Sequence, residues 1–181
     1  MEVEIPPDTD RISSIFENCL EQGWIVDGVL SQSETQARSL WQLRENISES
    51  LSKYNPYKND ISVRVSRVPA FMNELSEILA KAYPDWEVVW FGHLGDGNLH
   101  INILRPPDIS KEDFVEECQR VDELVFTAGK NQEGSISAEH GVGLTKRPFL
   151  HFSRSETEIQ IMRDIKKVLD PDGIMNPGKV C

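Results

Sequence analysis

The chain has no apolar run near the roughly 18 residues that a membrane-spanning helix requires, no Cys-x-x-Cys pair, no internal repeat and no low-complexity tract. Cys19, Cys118 and Cys181 are odd in number and far apart. That excludes a disulfide framework and fits free thiols in a reducing compartment. Basic residues are scarce, 19 Lys and Arg against 30 Asp and Glu, for a formal net charge of −11. No basic patch is on offer, so neither nucleic acid nor an anionic membrane surface is expected as a partner. An acidic start without a charged or amphipathic leader pattern reads as neither signal nor transit peptide, and a cytoplasmic location is expected. At 39% hydrophobic residues the chain can build a core.

Histidine is also rare, four in 181 residues. Three of the four fall in two short segments, Phe-Gly-His-Leu-Gly-Asp-Gly-Asn-Leu-His-Ile-Asn at 91–102 and Ser-Ala-Glu-His-Gly-Val-Gly at 137–143. Residues 87–91 and 99–104 carry apolar, β-branched and aromatic side chains, and the Leu-Gly-Asp-Gly-Asn between them is turn chemistry. The pattern predicts a β-hairpin. His93 and His100 then stand on either side of the loop, and the two-residue period of a strand puts Asn102 on the same face as His100.

Two neutral imidazoles with one carboxylate form a three-ligand set for a divalent metal, zinc by ligand type, that keeps a position open for substrate. Glu139 is the third ligand that this chain offers. Residues 134–138 alternate weakly like a strand that ends at Glu139 and His140, and the glycines after it allow the backbone to approach a bound group. The spacing follows neither HExxH nor CxxC. On residues alone, a metal centre and an ordinary turn flanked by hydrogen-bonded histidines are both open.

The rest of the chain alternates helical and strand patterns. Helices are predicted from Thr9 or Asp10 to Gln22, from Ser33 to Leu51, over 68–82, over 111–129, and after a Ser155/Glu158 capping box up to Leu169. Strands are predicted at 24–28, 61–65 and in the hairpin. The start at 1–7 reads as the end of a strand and a turn. Within the second helix, Arg44 and Ser48 are four residues apart, so a guanidinium and a hydroxyl could share one face and grip a carboxylate; an exposed Arg paired with Glu45 or Ser48 fits the same spacing. The fold class expected is α+β, a largely antiparallel sheet with helices on one face and the site on the other, plus a C-terminal helical tail. Residues 1–152 are expected to form the substrate- and metal-binding domain and 153–181 the tail.

The Gly-His-Leu-Gly-Asp-Gly-Asn-Leu-His and Ser-Ala-Glu-His-Gly-Val-Gly segments, together with Leu-Asp-Pro-Asp-Gly-Ile-Met-Asn-Pro-Gly-Lys-Val at 169–180, resemble the carboxy-terminal domain of FAD-linked oxidases, above all the branch that oxidises D-2-hydroxyglutarate, with D-lactate- and glycolate-oxidising enzymes as near relatives. The resemblance extends over essentially the whole chain, including Leu-Trp-Gln-Leu-Arg-Glu-Asn-Ile at 40–47, and implies a ferredoxin-like sheet. It implies His93, His100 and Glu139 as ligands of a divalent metal, with zinc expected, and His140 as the base that takes the substrate hydroxyl proton. Asn102, Arg44, Ser48 and Lys58 would hold substrate; Ser48 stands where the family pattern has Thr, and the stretch before Lys58 is one residue shorter. Asn176 would touch the flavin. The cofactors implied are FAD and the metal, and the partners a small dicarboxylate or 2-hydroxy acid and a flavin-binding domain or subunit.

No segment resembles the flavin-binding domain, so a partial enzyme, truncated at its N-terminus, is expected. Without that partner, the tail is expected to be mobile or covered in a homodimer. The alternatives are a non-catalytic remnant or ligand-binding subunit, a D-lactate or glycolate dehydrogenase fragment, and more remotely a metallohydrolase. A eukaryotic source would place the protein in mitochondria.

Overall fold

The computed structural model describes residues 9–181, and the reading of 1–7 as strand and turn lies outside them. They divide into two compact units, the first ending at Ser48 and the second Glu49–Cys181.

The first unit is helical. Helix α1 (Thr9–Glu21) is followed by a turn in which Gly23 takes φ +68°, the left-handed conformation that glycine adopts without steric cost. Helix α2 (Glu34–Glu45) starts at Ser33, whose hydroxyl accepts the backbone N–H of Gln36. The single helix expected from Ser33 to Leu51 is in fact two: Asn46, at φ −86° and ψ 7°, leaves helical geometry, and α3 (Ile47–Ser52) begins after it. Asparagine competes for backbone hydrogen bonds and is a poor helix former, which accounts for the break. Arg44 and Ser48 therefore do not lie on one continuous helix. Residues 24–28 form no strand either; Val26 is 97% exposed and the described residues hold no sheet edge that pairs with the segment.

The second unit is built on three antiparallel strands, β1 (Tyr57–Ser62), β2 (Val88–His93) and β3 (Asn98–Ile103), in the order β1-β3-β2. Helix α4 (Val68–Ala82) joins β1 to β2, and helix α5 (Lys111–Asn131) follows β3. This is the α+β class read from the sequence. A lone bridge, Ser62 to Ser135, flanks β1 where a ferredoxin-like sheet would carry its fourth strand. The strand expected at 134–138 is reduced to that one bridge. Strand β1 also starts four residues before the apolar alternation at 61–65. Asn59 and Asp60, residue types depleted in strands, are paired there with β3 and buried, so tertiary partners override propensity.

One face of the sheet makes the core. Ile61, Leu99, Ile101 and Ile103 meet Phe71, Leu75 and Leu79 of α4 and Phe114, Cys118, Val121, Val125 and Phe126 of α5. Each such side chain is worth about 1.5–3 kcal/mol in burial. Leu124 lies one step outside the stripe and is 53% exposed. All three cysteines are unpaired. Helix α6 (Glu156–Leu169) carries the full Ser155/Glu158 capping box; only Ile159 on it is buried, while Ile161, Ile165, Val168 and Leu169 are exposed. No helix among the described residues is long and apolar enough to cross a membrane.

At the hairpin, Gly97 takes φ +73°, and a Cβ there would stand 1.8 Å from the carbonyl oxygen of Val63. Gly97→Ala is expected to cost at least about 1–2 kcal/mol from the left-handed conformation alone, before the clash. Chemical denaturation reads this directly, and an unchanged midpoint would mean that the turn relaxes freely.

Asp122 on α5 is buried, accepting Tyr57 Oη at 2.5 Å and Asn59 Nδ2 at 3.2 Å. Burial raises its carboxyl above the ordinary range, and the Tyr57 and Asn59 donors and the Lys146 charge offset only part of that. The folded state then holds this proton more tightly than the unfolded chain does. Between the ordinary and the raised pKa, stability falls as pH rises. Asp122→Asn abolishes this titration and is expected to gain on the parent as pH rises above the ordinary carboxylate range. A pH-independent difference in denaturation midpoint would show that Asp122 ionises without penalty.

Candidate functional site

The sheet face turned away from the α4–α5 core is polar, and its rungs are set by register. Across the strands, Asp60 stands opposite His100 and His100 opposite Phe91; Ser62, Asn98 and His93 form the next rung, and Lys58, Asn102 and Val89 the rung on the other side. Residues opposite one another share a face, and so do residues two apart. His93, His100 and Asn102 are therefore on one surface, as the alternation predicted. The hairpin loop is closed by N–H groups of Asp96 and Gly97 donating to the carbonyls of His93 and Leu94, and the Asp96 carboxylate accepts the N–H of Asn98 at 3.0 Å.

Glu139 and His140 reach this face on an irregular loop rather than on a strand, and Asp60 is what holds it. Its Oδ2 accepts the Ser137 hydroxyl at 3.2 Å and the backbone N–H groups of Ala138, Glu139 and His140 at 3.2, 3.1 and 2.8 Å. The Lys146 ammonium donates to the carbonyls of Asp60 and Ile136, at 3.1 and 2.7 Å, behind the loop. Gly141 and Gly143 turn the chain away with φ of +81° and +54° and have open space beside them, so they serve conformation rather than close approach. The chain's end returns here: Val180 N–H donates to Gly143 O at 2.9 Å, and Arg147 to Gly178 O at 3.2 Å.

Three of the predicted ligands meet. One donor atom each from His93, His100 and Glu139 lies within 4.8 Å of the others. His100 Nε2 is 3.1 Å from Glu139 Oε1, and the His93 and His100 rings are 6.0 Å apart, edge to face. His140 stacks on His100 at 5.3 Å, its Nε2 3.8 Å from the same Glu139 oxygen. Asp60, His100 and His140 make a second group with the same spread.

The electrostatics suit a cation. Burial lowers the His100 pKa, opposed by the carboxylates of Asp60 and Glu139, so the ring is neutral at neutral pH and has a lone pair to give. Burial would raise the Asp60 carboxyl, but the N–H groups of His140 and Glu139 and the Lys146 charge bring it below its ordinary value. The side-chain oxygens of Asn98 and Asn102 are buried on this face without a hydrogen-bond partner. Unsatisfied acceptors beside two imidazoles and a carboxylate are what a bound cation and a hydroxylated ligand would complete.

The other predicted residues are spread more widely. Lys58 is exposed on β1 beside Asn102 in register. Arg44 and Ser48 are exposed in the first unit, with the Arg44 guanidinium 5.5 Å from the centre of the Trp41 ring, a cation–π distance, rather than paired with Glu45 or Ser48. Asn176 sits exposed at φ +48° in the turn near the chain's end, where its side chain accepts from Lys179 at 3.1 Å. Asp60 is the residue that sequence reasoning missed. Its signal was a carboxylate directly before Ile61 at the head of an apolar alternation, and only the register shows that it faces His100.

Metal uptake tests the cluster. The purified chain is expected to take up about one divalent ion, and His100→Ala to lose it, by elemental mass spectrometry. Equal uptake by both would separate the bound ion from this site.

Known sequences resemble this chain along nearly all of its length. The profile of the family described as FAD linked oxidases, C-terminal domain, matches residues 2–180. A protein of Stutzerimonas stutzeri named D-2-hydroxyglutarate dehydrogenase is 58% identical over 171 residues, 94% of this chain and 37% of its own length. One of the same name from Xanthomonas citri pv. viticola is 57% identical over 91% of this chain and 35% of its own. The mitochondrial D-2-hydroxyglutarate dehydrogenase of Bos taurus is 36% identical over 96% of this chain and 31% of its own. The chain thus spans about a third of the length of these curated relatives.

Proposed function

The chain belongs to the family of FAD linked oxidases, C-terminal domain, and from that premise we propose that it is the substrate- and metal-binding part of an FAD-dependent oxidoreductase that converts a D-2-hydroxy acid, D-2-hydroxyglutarate first, to the 2-oxo acid. The observation that carries this reading is the meeting of His93, His100 and Glu139 with His140 stacked alongside. A divalent cation held by those three side chains would act as a Lewis acid on the substrate's hydroxyl and adjacent carboxylate. FAD, bound mainly by a partner domain, supplies the hydride acceptor that no side chain provides.

In this reading the chain's own residues bind, orient and move one proton. His140 takes the hydroxyl proton at Nε2, its Nδ1 edge being turned toward Asp60 at 3.7 Å. Asn102, buried on the same face with its side-chain oxygen unpaired, accepts a hydrogen bond from substrate. Lys58, beside Asn102 in register, supplies a cation for a second carboxylate, which is the reason to place 2-hydroxyglutarate before lactate; the resemblance alone assigns Arg44 and Ser48 to substrate. Asn176 meets the flavin, and the exposed apolar residues of α6 are covered by the flavin-binding partner or by a second copy. With a net charge of −11, an anionic substrate is drawn by local features, the bound cation and Lys58, rather than by the overall field. The protein works in the cytoplasm of a bacterium or the mitochondrion of a eukaryote.

Binding calorimetry on the zinc-loaded chain tests the substrate class. D-2-hydroxyglutarate is expected to bind about tenfold or more tighter than D-lactate, with Lys58→Ala narrowing the gap, since a charge-assisted hydrogen bond is worth about 1.5–3 kcal/mol. Equal affinities would remove the second-carboxylate grip. Binding of neither with metal in place would favour a non-catalytic remnant.

A further inference from the structure

Asp60 is fully buried, yet its two oxygens are in unequal circumstances. Oδ2 receives four donors, the Ser137 hydroxyl and the backbone N–H groups of Ala138, Glu139 and His140. Oδ1 has no hydrogen-bond partner at all. A buried carboxylate oxygen without a donor is costly, and such an atom in a folded protein asks for an explanation.

What Oδ1 faces is the Nδ1 edge of His100, at 3.9 Å, while His140 turns its own Nδ1 edge to Oδ2 at 3.7 Å. The two stacked rings present matching edges. Both Nδ1 atoms look toward Asp60 and both Nε2 atoms toward Glu139 Oε1, at 3.1 Å for His100 and 3.8 Å for His140. The Nδ1 separations exceed hydrogen-bond length, and a small turn of the ring closes either one. Asp60 also belongs to a group that could ligate an ion with His100 and His140. Four donors leave Oδ2 no lone pair for that, and Oδ1 lies on the far side of His100 from the Nε2 edge that meets Glu139.

We propose that Asp60 is a positioning residue with a task for each oxygen: Oδ2 fixes the loop that delivers Glu139 and His140, and Oδ1 accepts the Nδ1–H of His100, so that His100 offers Nε2 to the cation. This rests on the metal-centre reading above and adds the residue that selects the tautomer and orientation of the central ligand. Carboxylates behind ligating histidines commonly serve so.

Asp60→Asn separates the tasks. Its amide oxygen can take the place of Oδ2 and keep the loop, but its NH2 then meets His100 Nδ1 and disfavours the N–H there. Competition titration with zinc is expected to show an affinity about 10–100-fold weaker than the parent's, with the metal-free melting temperature little changed. In zinc-loaded parent protein, imidazole nitrogen spectra are expected to show His100 bound through Nε2 with a slowly exchanging Nδ1–H. That readout needs no variant, so it decides the matter even if Asp60→Asn does not fold. Ser137→Ala, which removes one Oδ2 donor only, is expected to leave the Nδ1–H in place.

Ligation through Nδ1, a freely exchanging Nδ1–H, or parental zinc affinity in Asp60→Asn would each overturn the proposal while leaving the metal centre intact. Failure of the parent to take up zinc would instead overturn the metal-centre reading, and this inference with it.

Discussion

A slip of one residue in the pairing of β3 would turn His100 and Asn102 into the apolar layer and bring Leu99, Ile101 and Ile103 out beside Glu139. The register of this central strand is the constraint on which the rest depends. It is set from both sides: apolar alternate residues lock against α4 and α5 on one face, and on the other His100 meets Asp60 of β1, Phe91 and His93 of β2, and Glu139 and His140 of the loop. Every residue of β3 is buried, so polar and apolar faces alike are specified by their surroundings.

The electrostatic consequence is a compact polar layer in an acidic protein. Burial pushes His100 toward its neutral form and Lys146 below its ordinary pKa, while clustered donors keep Asp60 ionised. Each of these groups is held by the others, and Lys146 reaches both the strand and the loop through their carbonyls. The layer is a network in which removing one member leaves another unsatisfied.

How much of this was legible depends on whether the information was local. The hairpin, α4, α5 and the α6 capping box are written in turn residues and periodicity, and each stands where the pattern put it. The meeting of His93, His100 and Glu139 was legible because two of the three lie on one hairpin. Asp60 was not, since it faces His100 only through the register of β1 with β3 and holds a loop 77 to 80 residues further along the chain. The same limit misassigned 134–138 as a strand: its alternation is real, but only Ser135 donates its backbone N–H to a neighbouring strand, while those of Ile136, Ser137 and Ala138 go to the side chains of Ser153, Ser135 and Asp60. Residues 24–28 have strand composition but no edge to pair with among the described residues, and the run 33–51 was split at one asparagine, a weak helix former whose effect the apolar periodicity around it conceals.

That sequence separation also orders events in time. A hairpin with a four-residue loop between His93 and Asn98 closes within microseconds, whereas joining Asp60 to His140 closes a loop of 80 residues and must wait for β1 to find β3. The centre is then among the last parts of the molecule to form and among the first to open. Any ion that settles there binds the finished chain alone, so occupancy reports completed folding and adds its own binding free energy to the stability of that state.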